Sequence, residues 1–564
     1  MKRSFTKTSP SAISVFGAPK APKAPQLEQQ DKPIHPNYAS TRKNKHMIYL
    51  MHRLAILISL AYALSAQVSV TTNRNDNLGT GANLQETILT AASVNPAGFG
   101  KLFNLPVQGS VFGQPLYLTG IEIPGRGKHN VVYLATMDDH VYAFDADSPG
   151  PPLWHRDLTN PSAGIIPVPI VDITNNNNLN IVGNVGILST PVIDPATNTL
   201  YLVARTKEPA GYIQRIHALD IRSGKDRVPP VVIAAQIKSL ANDAIDGYLH
   251  FNSKTNSQRS ALTLTNGTVV IAWASHEDIG PYHGWIMACS AKDLKQVAVL
   301  CVTPKGKEGG IWQSGRGAAV DSDGAIYFQT GNGDWNGTTD FGESLLKLRI
   351  RDNNFEIVDY FTPTDYAALN KRDADFGSSG PFLIPNRNIV ICGDKHGVLT
   401  LLNPTDLGKL SSNPIQALPV NGGRVLNGPA WWHDFLYIWG EADVLKSFHF
   451  NGTTLDPTAA TKGKSGSHGS PGGALSISAD GSKSGTAIVW AMLTIDKSAD
   501  HGNAPGILRA FDAESLEELW NSEQNPDRDR LGTLVKFVPP TVANGKVYAV
   551  TYDNAVNVYG LVSK

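Results

Sequence analysis

The sequence predicts an all-β fold, an eight-bladed β-propeller of four-stranded antiparallel blades, on three observations. One strand module recurs eight times between about residue 110 and the end. Gly (52) and Pro (36) together exceed the usual share in 564 residues, which supplies the turns that short strands need. No helical pattern separates the strands, so a parallel βαβ sheet is excluded. Radial repetition hides the edges that an open sheet would expose.

In chain order, residues 1–46 contain Lys, Pro and Gln without apolar periodicity and read as a disordered or mis-annotated extension. Residues 47–66 read as a signal peptide: His52-Arg53, an apolar run over 54–64, and the small-x-small exits Ala61-Tyr62-Ala63 and Ala63-Leu64-Ser65. The run is too short to span a bilayer, which takes around twenty residues. Its internal position suggests that translation starts at Met47 or Met51; the competing reading is a signal anchor with a short cytoplasmic tail. Residues 67–100 form a lead-in, and 101–564 a single propeller. The expectation is a secreted protein, periplasmic if the source is a Gram-negative bacterium. Three Asn-Gly-Thr sequons, at Asn266, Asn336 and Asn451, fit a secreted glycoprotein.

Each module opens on a small or Pro residue, as at Gln114-Pro115, Thr190-Pro191, Gly317-Ala318 and Pro539-Pro540. A β-branched and aromatic second strand follows, such as Val131-Val132-Tyr133-Leu134 or Ala325-Ile326-Tyr327-Phe328. Hairpin turns such as Asn266-Gly267 and Asn544-Gly545 join the first two strands. The eighth copy reaches its third strand at 556–559 and the sequence stops at Lys564. The extended segment 101–106 is therefore expected to supply the outer strand of the last blade.

Lys plus Arg and Asp plus Glu are both 49, so the formal charge is zero, without the basic footprint of a nucleic-acid or membrane-surface binder. Cys289, Cys301 and Cys392 form no CxxC and no adjacent pair, which excludes a zinc ribbon and a disulfide scaffold. Cys289 and Cys301 lie on neighbouring strands out of register, so buried thiols are the simpler reading, with a disulfide the alternative.

The third strands carry Ala143-Phe144-Asp145 leading to Trp154, Ala218-Leu219-Asp220 leading to Ser223-Gly224, and Ala510-Phe511-Asp512 leading to Trp520. This resembles the tryptophan-docking repeat of the pyrroloquinoline-quinone (PQQ) propellers, the quinoprotein alcohol dehydrogenase-like group. The stretch 272–285, with Gly309-Gly310-Ile311-Trp312-Gln313-Ser314-Gly315 and Thr330-Gly331-Asn332-Gly333, resembles a signature of secreted members of that group. The resemblance implies an eight-bladed fold and export, and no particular reaction. The alcohol dehydrogenases of that group stack PQQ against two adjacent cysteines and hold calcium with Glu, Asn and Asp. Adjacent cysteines are missing here.

In a propeller, the loops between second and third strands and those joining blades share one face around the channel. Here they place His276, Glu277, Asp278, Tyr282, His283, Trp312, Arg316, Asp375, Arg424, Glu441 and His468 as a ligand-binding funnel. His276, Glu277, Asp278 and His283 lack an established metal spacing. Asn332, Asp334, Asn336 and Asp340 only loosely resemble a calcium loop. The leading expectation is a binder of a small molecule, glycan or protein, with no redox chemistry assumed and no membrane span after leader cleavage. The alternatives are a PQQ- and Ca2+-dependent oxidoreductase of an alcohol or sugar, with the quinone on Trp312, Trp431 or Trp432, and an assembly scaffold.

Overall fold

Eight small antiparallel sheets form a ring, one for each repeat read in the sequence. The computed structural model describes residues 68–174, 180–420 and 423–562; the leader expected at 47–66 and the extension before it lie outside them. Blade 1 runs from its inner strand Leu116–Ile123 through Gly127–Ala135 and His140–Asp145 to its outer strand Trp154–Asp157. The inner strands of blades 2 to 8 are Val192–Asp194, Thr263–Thr265, Ala319–Val320, Phe382–Leu383, Ala430–Trp432, Ala474–Ser478 and Thr541–Ala543. Each begins just after one of the small or Pro openings. Asn266-Gly267 and Asn544-Gly545 both take positive φ, the twist a two-residue hairpin requires.

The ring closes as expected. Phe99–Pro106 pairs antiparallel with Ala555–Leu561 and is the outer strand of blade 8. Phe99 is fully buried, its ring 5.3 Å from Trp490 and 4.9 Å from Trp520, so the closing strand is anchored by packing as well as by its ladder.

The repeat motif works through blade contacts. Asp145 Oδ1 accepts the backbone N–H groups of Asp147 and Ser148, and Asp512 Oδ1 those of Glu514 and Ser515. The Trp154 indole donates to the Ile221 carbonyl of blade 2 at 2.8 Å. It lies against Gly224, where a Cβ would come within 2.6 Å of the ring. The Gly of one repeat therefore makes room for the Trp of the one before.

Inside the ring, the segment 70–83 forms a collar against the inner strands, meeting all eight blades in order. Val70 pairs with Tyr117 of blade 1, and the Thr71 carbonyl accepts from Ile193 N–H of blade 2. Asn77 Nδ2 donates to the Leu264 carbonyl of blade 3, and its own carbonyl accepts from Val320 of blade 4. The Leu78, Thr80 and Gly81 carbonyls accept from Leu383, Trp431 and Ile477 of blades 5, 6 and 7. Asn83 Nδ2 donates to the Val542 carbonyl of blade 8. Inner-strand polar groups that would otherwise face the channel are satisfied this way.

All three cysteines are buried and unbonded; Cys289 stands opposite Gln296, while Cys301 stands opposite Trp285. Among the described residues, no helix is long and apolar enough to cross a membrane.

Candidate functional site

The blade-joining loops and the second-to-third-strand loops converge on a cavity of about 440 Å³. Seven of the eleven expected residues line it: His276, Glu277, Asp278, Tyr282, Trp312, Asp375 and Arg424. Asn180, Arg259, Asn332, Asp373, Lys395, Asp500, His501, Lys536 and Phe537 also stand in its wall.

Four expected residues stand elsewhere. Arg316 turns inward from the cavity, donating from Nη2 to the Gly79 carbonyl of the collar at 2.5 Å and from Nη1 toward the Pro429 carbonyl at 3.5 Å. It is a tether between collar and blade 6. His283 lies one layer away, in a separate pocket, with Nδ1 3.0 Å from the Thr303 carbonyl and Nε2 3.2 Å from Asp243. Glu441 stands behind the wall and holds Arg424 Nε at 2.7 Å. His468 is exposed and outside the cavity lining. Trp431 and Trp432 are buried in the inner strand of blade 6 and present no face to the cavity. The loose calcium-loop residues are turn partners: Asp340 Oδ1 accepts from Lys305 and Gly306 N–H, and Asn336 Oδ1 from Thr338 and Thr339 N–H.

One side of the cavity is acidic and locked. Asp375 accepts from Asn332 N–H at 2.9 Å and from the Trp312 indole N–H at 3.2 Å, and pairs with Lys395 Nζ at 2.6 Å. Lys395 also pairs with Asp373 at 2.6 Å, and its ammonium stands 5.7 Å over the half-buried Trp312 ring. Burial pulls the Lys395 ammonium down, but the Asp375 and Asp373 carboxylates outweigh it and hold it above its ordinary value. Asp278 accepts the Tyr282 hydroxyl at 2.6 Å; burial pushes its carboxyl up, and the like charges of Asp375 and Asp373 add to that.

The opposite side is basic. Arg205 Nη2 lies 2.7 Å from His276 Nε2, so Nε2 accepts and the imidazole is neutral with its proton on Nδ1. Burial, then the Arg205 and Arg259 charges, hold His276 well below its ordinary value. Lys536 Nζ donates to Asn180 Oδ1 at 2.8 Å, the Ala499 carbonyl at 2.7 Å and the Asp500 carbonyl at 3.3 Å. Burial and then the Arg259 charge pull its ammonium down to about 8. Burial pushes the Glu277 carboxyl up; Oε1 accepts Asn180 N–H at 3.2 Å, and Oε2 has no hydrogen-bond partner.

The backbone around the cavity is strained. Glu277, Asp278, Gln313, Ser314, Asp373 and Phe537 all have φ between 47° and 69° without being glycine. Such residues cost about 1–3 kcal/mol each and persist where the surroundings fix them, as at binding sites. Arg259, Lys536 and Phe537 were missed in the sequence although a signal existed. They precede the openings Ser260-Ala261 and Pro539-Pro540 just as Trp312 precedes Gly317-Ala318.

No protein-family model matches the sequence, and no curated protein is similar to it. Solved structures are. The quinohemoprotein alcohol dehydrogenase ADHIIG of Pseudomonas putida HK5 superposes with a TM-score of 0.55 at 13% identity, over 88% of this chain and 81% of that one. The quinohemoprotein alcohol dehydrogenase of Comamonas testosteroni gives 0.51 at 13% identity, over 87% and 80%. A europium-containing methanol dehydrogenase gives 0.52 at 12% identity, over 87% and 98%. The chain has the quinoprotein alcohol dehydrogenase fold. At such identities the likeness fixes the quinoprotein-like ring and leaves the chemistry of the funnel to its own residues.

Proposed function

We propose that the chain is an exported binding protein whose funnel holds a small, multiply hydroxylated molecule, a sugar or short glycan. The observation that carries this reading is the wall around Trp312. A half-buried indole shares the cavity wall with acceptors (Asp278, Asp375) and donors (Lys395, His276, Arg259), and left-handed backbone at Glu277, Asp278, Asp373 and Phe537 fixes parts of that wall. An aromatic surface bordered by a few fixed polar groups suits a ligand with an apolar face and a hydroxylated rim. Export rests on the leader pattern at 47–66 and on the sequons, whose Asn266, Asn336 and Asn451 lie on exposed turns. The large exposed apolar side chains are scattered over separate elements, from Leu84 to Leu561, which argues against an assembly scaffold.

The fold also raises a quinoprotein oxidoreductase carrying PQQ on calcium. The Trp312 face suits a flat ring. The cation half of such a site is not made: the Lys395 ammonium itself stands between Asp373 and Asp375, where a divalent ion would need those oxygens. Among the described residues, no group of three His, Cys, Asp or Glu side chains is placed to hold a metal. The residues present therefore do not fit PQQ held on calcium, and no step is derived through it.

The test is a melting-temperature screen of the purified protein against sugars and short glycans, alongside PQQ with Ca2+ and dye reduction with alcohols. A saturable shift with a sugar or glycan, lost in Trp312→Ala, supports the reading. Bound quinone absorbance with dye reduction would replace it.

A further inference from the structure

We propose that the molecule held in the funnel carries a carboxylate, and that Arg259 receives it. The inference rests on the reading of the funnel as a site for a hydroxylated ligand and names its class as a sugar acid.

Arg259 precedes the inner strand of blade 3 and lines the cavity. Its guanidinium stands over two rings, 5.2 Å from the Phe112 centroid and 5.1 Å from that of Phe537, contacts that steady it without using its N–H donors. Of five N–H donors one is used, Nη2 to the Lys536 carbonyl at 3.3 Å. Every other cation of the cavity is matched. Lys395 has Asp373 and Asp375, Arg424 has Glu441 and Asp500, and Lys536 fills three acceptors.

Arg259 has no carboxylate partner among the described residues. Arg259 is half-buried, a guanidinium partly withdrawn from water gains from a counter-charge, and a planar carboxylate is the group its fork fits in two parallel bonds. The surroundings favour the same charge. Lys536 adds a cation whose own donors are spent, and neutral His276 offers its Nδ1 proton. The acids on this side are Asp500, whose carboxylate is paired with Arg424, and Glu277, which burial drives toward its neutral form. Across the cavity, Asp278 and Asp375 would accept hydroxyl protons, so one molecule bearing hydroxyls at one end and a carboxylate at the other satisfies both walls.

The experiment is calorimetric titration of the full chain with matched pairs, glucuronate against glucose, galacturonate against galactose and mannuronate against mannose. At pH 7 the acid should bind about tenfold or more tightly than its parent. Arg259→Gln should bring that ratio to near one, with the acid losing far more affinity than its parent sugar, and Arg259→Lys should fall between. Parents binding as well as acids would overturn the inference in the unaltered protein, without any variant, and leave the hydroxylated-ligand reading standing. So would an acid preference that survives in a folded Arg259→Gln. If neither series binds, or PQQ alone does, the reading of the funnel fails and this inference fails with it.

Discussion

Phe103 stands opposite Val558 in an antiparallel pair, so a strand preceding blade 1 completes blade 8. Blade 8 thus depends on a strand more than four hundred residues away in sequence, and the funnel depends on that pairing, since Lys536 and Phe537 enter it from the loop that leads into blade 8.

Truncating the anchor of that strand should loosen the whole ring. Phe99→Ala removes a fully buried ring from between Trp490 and Trp520. A cost of about 3–5 kcal/mol is expected, read by urea denaturation, with early exchange of the Val556 and Val558 amides. A loss under about 1 kcal/mol would mean that the last blade holds without its closing strand.

Arg316 separates tether from ligand. Arg316→Ala leaves the Gly79 carbonyl without its charged donor, while Arg74 still donates to that of Pro429, and should destabilise by about 1–3 kcal/mol. Ligand affinity should stay within about twofold, because the side chain does not line the cavity. The check is denaturation and titration on the same preparation.

Glu343 makes stability depend on pH. It is buried behind Asp375; Oε2 accepts Phe376 N–H at 2.6 Å, Oε1 has no partner, and burial, then the Asp375 charge, push its carboxyl up to about 9. The folded chain therefore keeps a proton that the unfolded chain releases near 4.5, and this contribution is lost as pH rises from there through about 9. Glu343→Gln keeps an acceptor for Phe376 and cannot ionise. It should match the parent near pH 5 and exceed it by about 1–3 kcal/mol near pH 9, in melting curves across that range.

Lys536 sets an upper pH limit on anion binding. With its ammonium pulled down to about 8, the charge beside Arg259 is present below that pH and lost above it. Preference for a sugar acid over its parent should therefore fall between pH 7 and 9, and in Lys536→Met the fall should vanish. Titrations at stepped pH decide it.

The ring was legible because its signals are local: Pro or small openings, Asn-Gly turns and the Asp that accepts its own turn amides are all short-range. The closing strand followed from counting strands. The collar was not legible, since its bonds run mainly through backbone carbonyls such as those of Leu78 and Gly81, which any residue type supplies. For the same reason Arg316 and Trp312 look alike in one loop, and only the path of the collar shows which turns inward. His468 shows the converse, a polar residue at a promising repeat position whose loop stays in solvent.

The measurement that bears most directly on the account is titration of the matched sugar and sugar-acid pairs into the unaltered chain and into Trp312→Ala. The account predicts saturable binding at one site per chain, tighter for the acids, and lost in Trp312→Ala while the melting curve stays cooperative. Binding that ignores the indole, or a chain that takes up PQQ with Ca2+ and reduces dye while binding no sugar, would contradict it.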